Sequence, residues 1–151
     1  MFSTASQAQS AQATGVINVS VHIAGNCTFT VGGSGTTATI DFGEITTPGG
    51  AAITRNAAYA VTCSTGAAYN LDLVETGQTT QITNAAARPL RNGTNTINYS
   101  LNWGTVPGTT RQSATGNGAA QPYTLNFSLT PPATLPALGT YTDTLAVRLS
   151  W

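Results

Sequence analysis

Apolar and polar residues alternate through most of this chain. Ile17, Val19, Val21 and Ile23 share one parity, while Asn18, Ser20 and His22 take the other. A period of two marks a strand with one face to bury. The same signal recurs at Tyr59, Val61 and Cys63, and, behind a turn at Gly66, at Tyr69, Leu71 and Leu73. It returns at Ile97, Tyr99, Leu101 and Trp103, at Tyr123, Leu125, Phe127 and Leu129, and at Leu145, Val147, Leu149 and Trp151. Ala38 to Phe42 predicts one more short strand. Between these runs lie Gly32-Gly33, Pro48-Gly49-Gly50, Arg91-Asn92-Gly93, Pro107-Gly108, Pro131-Pro132 and Pro136 to Gly139. Such residues punctuate turns because of their special backbone angles. Helix formers are thinly placed, and alanines cluster in stretches such as Asn84-Ala85-Ala86-Ala87. Seven or so short strands with turn signals predict an all-β chain, a β-sandwich, with a small barrel as the architectural alternative.

The alternating segments at 16–23 and 145–151 stand at the two ends of the folded region. A terminal strand can complete its own sheet, or serve a neighbour whose open edge accepts a strand of matching pattern. Parity alone does not separate these outcomes. Nothing in the first segment blunts an edge with charge.

Composition narrows the function. The chain has 151 residues, which suits one domain. Its charged residues are five Arg, three Asp and two Glu, with no Lys, and the net charge is zero. A charged fraction of 7% lies far below the roughly 25% of an ordinary soluble domain. Such a chain has little charge-based protection against self-association and no basic surface to hold a polyanion, which excludes nucleic acid as a partner. No apolar run approaches the roughly 20 residues of a membrane-spanning helix. Residues 1–13 are small and polar. They lack the basic start and apolar centre of a signal peptide, although Ala11-Gln12-Ala13 has the small-x-small form that precedes a cleavage site. They read as a disordered tail or signal-peptide remnant outside the fold.

Catalytic chemistry is poorly represented. His22, the one histidine, sits on the polar face of a predicted strand. No nucleophile motif is visible, and Gly32-Gly33-Ser34-Gly35 lacks the Lys-Ser/Thr of a phosphate loop. The five acids Asp41, Glu44, Asp72, Glu75 and Asp143 show no pair spacing of the kind glycoside hydrolysis needs. Asp41 and Asp143 read instead as carboxylates that satisfy nearby backbone donors. No residue pattern calls for a cofactor or metal. The two cysteines, Cys27 and Cys63, are either two buried thiols or one disulfide joining the ends of neighbouring strands. The second reading implies an oxidising compartment.

Taken in order, several motifs carry a likeness to a known family. They are TGVINVSVHIAGNC at 14–27, TIDFG at 39–43, VTC at 61–63, AAYNLDL at 67–73, RPLRNGTNTINYSL at 88–101 and GTYTDTLAVRLS at 139–150. The chain resembles the spore coat protein U domain family and, within it, the major subunits of archaic chaperone–usher pili. That resemblance implies an incomplete immunoglobulin-like sandwich over residues 25–151, completed by donor-strand exchange. It implies that 14–24 is the donor strand, with Ile17, Val19, Val21 and Ile23 plugging a neighbour's groove. Cys27 and Cys63 look like the family disulfide. Asp41, Phe42, Gly43, Tyr141 and Asp143 fall in motifs that look structural. The implied partners are neighbouring subunits, a periplasmic chaperone and an outer-membrane usher. The implied location is the periplasm during assembly, then an extracellular pilus or the cell surface, serving adhesion or biofilm. Two readings compete: a secreted, self-complete β-sandwich that binds carbohydrate or matrix, and a coat-layer structural protein.

Overall fold

The computed structural model describes residues 16–32 and 38–151. Residues 1–13, expected as a disordered tail or signal-peptide remnant, Thr14 and Gly15 of the expected donor strand, and residues 33–37 lie outside the described residues. Eight strands follow in chain order: β1 (Cys27–Val31), β2 (Ile53–Cys63), β3 (Ala68–Glu75), β4 (Arg88–Asn92), β5 (Asn95–Trp103), β6 (Arg111–Thr115), β7 (Ala120–Leu129) and β8 (Leu145–Ser150). They form a five-stranded sheet in the order β1-β2-β7-β5-β4 and a three-stranded sheet in the order β6-β3-β8. All pairs are antiparallel. A bridge between Arg91 and Thr142 ties the β4 edge to the segment leading into β8, so the sheet curls while staying open.

The alternation read from the sequence builds one core between the sheets. β2 turns Ala57, Tyr59, Val61 and Cys63 inward, β5 turns Tyr99, Leu101 and Trp103, and β7 turns Leu125, Phe127 and Leu129. From the smaller sheet, β3 presents Tyr69, Leu71 and Leu73. Aromatic edges fix the middle: the Trp103 ring meets Tyr59 at 5.3 Å and Tyr123 at 6.3 Å, both edge-on, the arrangement that ring quadrupoles favour.

The strands give the molecule two ends. One gathers Cys27, Cys63, the start of β3 and the finish of β8, where Ser150 pairs with Asn70. We call it the disulfide end. The far end gathers Ile53, Leu129, the Asn92–Asn95 turn and the start of β8, where Leu145 pairs with Glu75. β1 starts at the disulfide end and β8 finishes there, so the two run in opposite directions.

Two expectations need correction. Residues 38–42 form no strand. Asp41 Oδ1 accepts from the Gly43 N–H at 2.8 Å, and Gly43 takes a φ of 81°, so the backbone turns before a ladder can form. Ile40 and Phe42 still pack on the core. Residues 16–23 form no ladder either. A strand needs a partner, and this segment has none within its own chain among the described residues. Three strands, β1, β4 and β6, escaped prediction.

Candidate functional site

β8 is an edge strand. It hydrogen-bonds to β3 along one side, and no described strand pairs with the other. Leu145, Val147 and Leu149 stand opposite Glu75, Leu73 and Leu71 and share the inward parity of the two leucines. Yet the three β8 residues are only half-buried, whereas Leu71 and Leu73 are fully covered. The missing cover is a cleft of about 530 Å³ beside the first turn of β8. Its floor is Tyr59, Leu125 and Phe127, and its walls are Leu145, Val147 and the Ile40–Phe42 segment. An apolar floor beside an unpaired strand edge offers a place for side chains and a place for a backbone.

The segment with the complementary character is in the same chain but not in this cleft. Ile17, Val19, Val21 and Ile23 are 88%, 90%, 87% and 86% exposed. Large aliphatic residues held that far out in water represent roughly 1.5–3 kcal/mol each of unrealised burial. His22, between them, is also exposed.

A charged cluster fixes the start of β8, and the sequence reading missed most of it. Arg88 is 3% exposed. Its Nη1 and Nη2 donate to Glu75 Oε1 and Oε2 at 2.6 and 2.9 Å, and its Nε and Nη2 donate to Asp143. Tyr99 Oη donates to Asp143 Oδ2 at 2.7 Å, and the Thr144 N–H donates to Asp143 Oδ1 at 2.8 Å. Asp143 thus does more than satisfy a backbone donor: it joins β4, β5 and, through Arg88, β3 at the mouth of the cleft. The hydrogen bonds from Arg88 hold the Glu75 carboxyl below its ordinary range. Burial, with the bond to Asp143 second, pushes the Tyr99 phenol up. A buried guanidinium so fully bonded is costly to unpair, which makes the beginning of β8 a fixed wall of the cleft. The available signal was sparse charge: with only ten charged residues in the chain, Arg88 is buried between a half-exposed Glu75 and a largely covered Asp143.

The other residues singled out from sequence are placed as follows. Cys27 and Cys63 are joined Sγ to Sγ, tying β1 to β2. Against that bond lies Gly116, where a Cβ would sit 2.6 Å from Cys63 Cβ and would collide with the Ser64 carbonyl. Asp41 and Gly43 close the turn already described, and Arg55 Nε donates to the Asp41 carbonyl at 2.9 Å. The Phe42 ring lies 5.9 Å from that of Tyr99. Tyr141 lines the cleft and donates its hydroxyl to the Ala137 carbonyl at 2.7 Å. Phe42, Tyr141 and Asp143 therefore meet around the cleft; the disulfide stands at the other end. Among the described residues, no group of three or more His, Cys, Asp or Glu is placed to hold a metal.

An all-β curled fold whose core is uncovered beside the free edge of β8, among the described residues, defines the class: a β-domain left open along that side. The chain matches the Spore Coat Protein U domain over residues 13–148 and belongs to that family, a non-enzymatic structural domain. Comparison with curated proteins finds no match. Among solved structures, the chain is similar to one chain of the CsuC-CsuE chaperone-tip adhesion subunit pre-assembly complex from archaic chaperone-usher Csu pili of Acinetobacter baumannii. The TM-score is 0.52 at 19% identity, covering 85% of this chain and 40% of that one. This chain therefore spans less than half the length of that relative. The likeness supports an open, curled all-β fold consistent with an incomplete immunoglobulin-like sandwich.

Proposed function

We propose that this protein is a structural subunit of an extracellular fibre, assembled when residues 16–23 of one copy fill the cleft beside β8 of the next. The observation that carries this reading is a pairing of opposites in one chain: four alternating aliphatic side chains exposed to water, and an aliphatic and aromatic cleft beside the free edge of β8. Inserting those side chains would add several kcal/mol of burial, at roughly 1.5–3 kcal/mol for each fully covered one. The backbone ladder with β8 sets register.

Direction follows from the two ends of the molecule. Residues 16–23 leave their own body at the disulfide end, just ahead of Cys27. A donor running antiparallel to β8 enters its neighbour's cleft and emerges at the neighbour's far end. Copies then stack head to tail into an open fibre, a heterologous assembly. A donor running parallel to β8 would bring two disulfide ends together and close a pair. The fibre reading therefore requires the antiparallel donor. Before assembly, the open edge needs cover, and a periplasmic chaperone that lends a strand fits that need. An outer-membrane usher would then pass the growing fibre to the cell surface, for adhesion or biofilm.

The test uses a chain that begins at Ala24 and a synthetic peptide of sequence GVINVSVHI. The reading predicts that the truncated chain folds, stays monomeric and gains thermal stability on adding the peptide. A truncated chain that melts at the same temperature with and without the peptide would refute it.

A further inference from the structure

We infer that the Pro136–Tyr141 loop, through Leu138, is the seat on which the disulfide end of the next copy rests, with Trp151 of that copy as the apolar contact. This rests on the strand-exchange reading. Ala24, Gly25 and Asn26 alone separate Ile23, the last donor side chain, from Cys27, the first residue of β1. Four peptide steps reach at most about 14 Å. A donor seated along β8 and emerging at the far end thus brings the neighbour's disulfide end against the acceptor's far end.

The two surfaces so brought together each carry a large exposed apolar side chain. At the far end, Leu138 is 99% exposed. Its loop is held in place rather than trailing: Gly139 packs against the Asn92 side chain, Tyr141 bonds back to Ala137, and Thr142 bridges Arg91. Tyr141 and Thr142 also line the cleft, so the seat is continuous with the groove the donor fills. At the disulfide end, Trp151 is 61% exposed. It follows Ser150, whose partner Asn70 lies three residues from Ala67, and Ala67 touches Gly25 of the linker. Neither side chain has a place in its own core. A head-to-tail step covers both, and a closed pair joined at the disulfide ends would leave Leu138 in water.

The test is a double variant, Leu138→Cys with Trp151→Cys. The native cysteines are bonded to each other, so the introduced thiols are the free ones. Fibres grown from it under mild oxidation should run, after boiling without reductant, as a ladder of covalent multimers that collapses on reduction. Either single variant should give no ladder. A second readout needs no substitution. Trp103 is already buried in the monomer, so fibre growth of the unaltered chain should shift tryptophan emission to the blue through Trp151. Leu138→Asp should reduce that shift. Fibres that show neither ladder nor shift overturn the Leu138–Trp151 contact and leave strand exchange standing. Failure of the GVINVSVHI peptide to stabilise the truncated chain overturns the strand-exchange reading, and this inference with it.

Discussion

Residues 57–63 and 17–23 are written in the same pattern, yet they meet opposite fates. In β2, Ala57, Tyr59, Val61 and Cys63 face the core, and the strand has β1 on one side and β7 on the other. In the leading segment, Ile17, Val19, Val21 and Ile23 hold the same parity with no partner, and all four stand in water. β8 lies between these extremes, laddered on one side and half-covered. Alternation states that a face wants burial; it does not state which molecule supplies the cover. The difference in burial is the observation on which the strand-exchange proposal rests.

The sharpest break of this comparison is one substitution made in both regions. Val61→Asp buries an unpaired charge at a fully covered site and should cost more than about 4 kcal/mol, leaving the chain unfolded in chemical denaturation. Next in size is the link between β1 and β2. Cys27→Ser with Cys63→Ser opens a loop with a sequence separation of 36 and should cost about 4 kcal/mol in the chain-entropy account, read as a lower denaturation midpoint. Gly116→Ala forces a methyl against Cys63 and the Ser64 carbonyl and should cost about 1–3 kcal/mol through overpacking.

Acid should erode the well-paired region through its carboxylate ion pairs. Arg111, bonded to the buried Asp72, holds that carboxyl below its ordinary range, and Arg88 does the same for Glu75. Both carboxylates have lower pKa values folded than unfolded. Their contribution is therefore complete above the unfolded value of about 4 and is lost as pH falls through the folded value. The thermal midpoint should hold steady from about pH 8 to about pH 5 and fall below about pH 4, with a shallower fall in Asp72→Asn. The smallest effect on stability belongs to Val21→Asp. At an exposed position it should shift monomer stability by no more than about 0.5 kcal/mol. Fibre growth, followed by light scattering, should nevertheless stop.

Much of the architecture was legible because the apolar strands advertise their faces. β2, β3, β5, β7 and β8 each carry three or more inward residues at period two. β1 carried the signal as well, in Cys27, Phe29 and Val31, but is only five residues long. β4 and β6 were hidden for another reason. RPLRN holds Arg88, whose burial is made tolerable by carboxylates distant in sequence, and RQSAT turns only Gln112 and Ala114 toward the core, too little for an apolar pattern. Hydrophobic periodicity cannot report a strand held by ion pairs or by backbone bonding alone. The candidate site was half legible. Parity singles out Ile17, Val19, Val21 and Ile23, but the expectation that they donate to a neighbour comes from the family resemblance, as does the attention given to Tyr141 and to the motif around Asp143. The Arg88–Glu75–Asp143–Tyr99 cluster needs contacts across 13 to 55 residues, which no local pattern encodes.

Amide hydrogen exchange of residues 16–23 is the most direct test of whether a second copy supplies the missing strand. The account predicts fast exchange in the dilute monomer, where these amides face water, and slow exchange in fibres, together with new protection along β8. Protection already present in the dilute monomer, or fast exchange that persists in fibres, would contradict it.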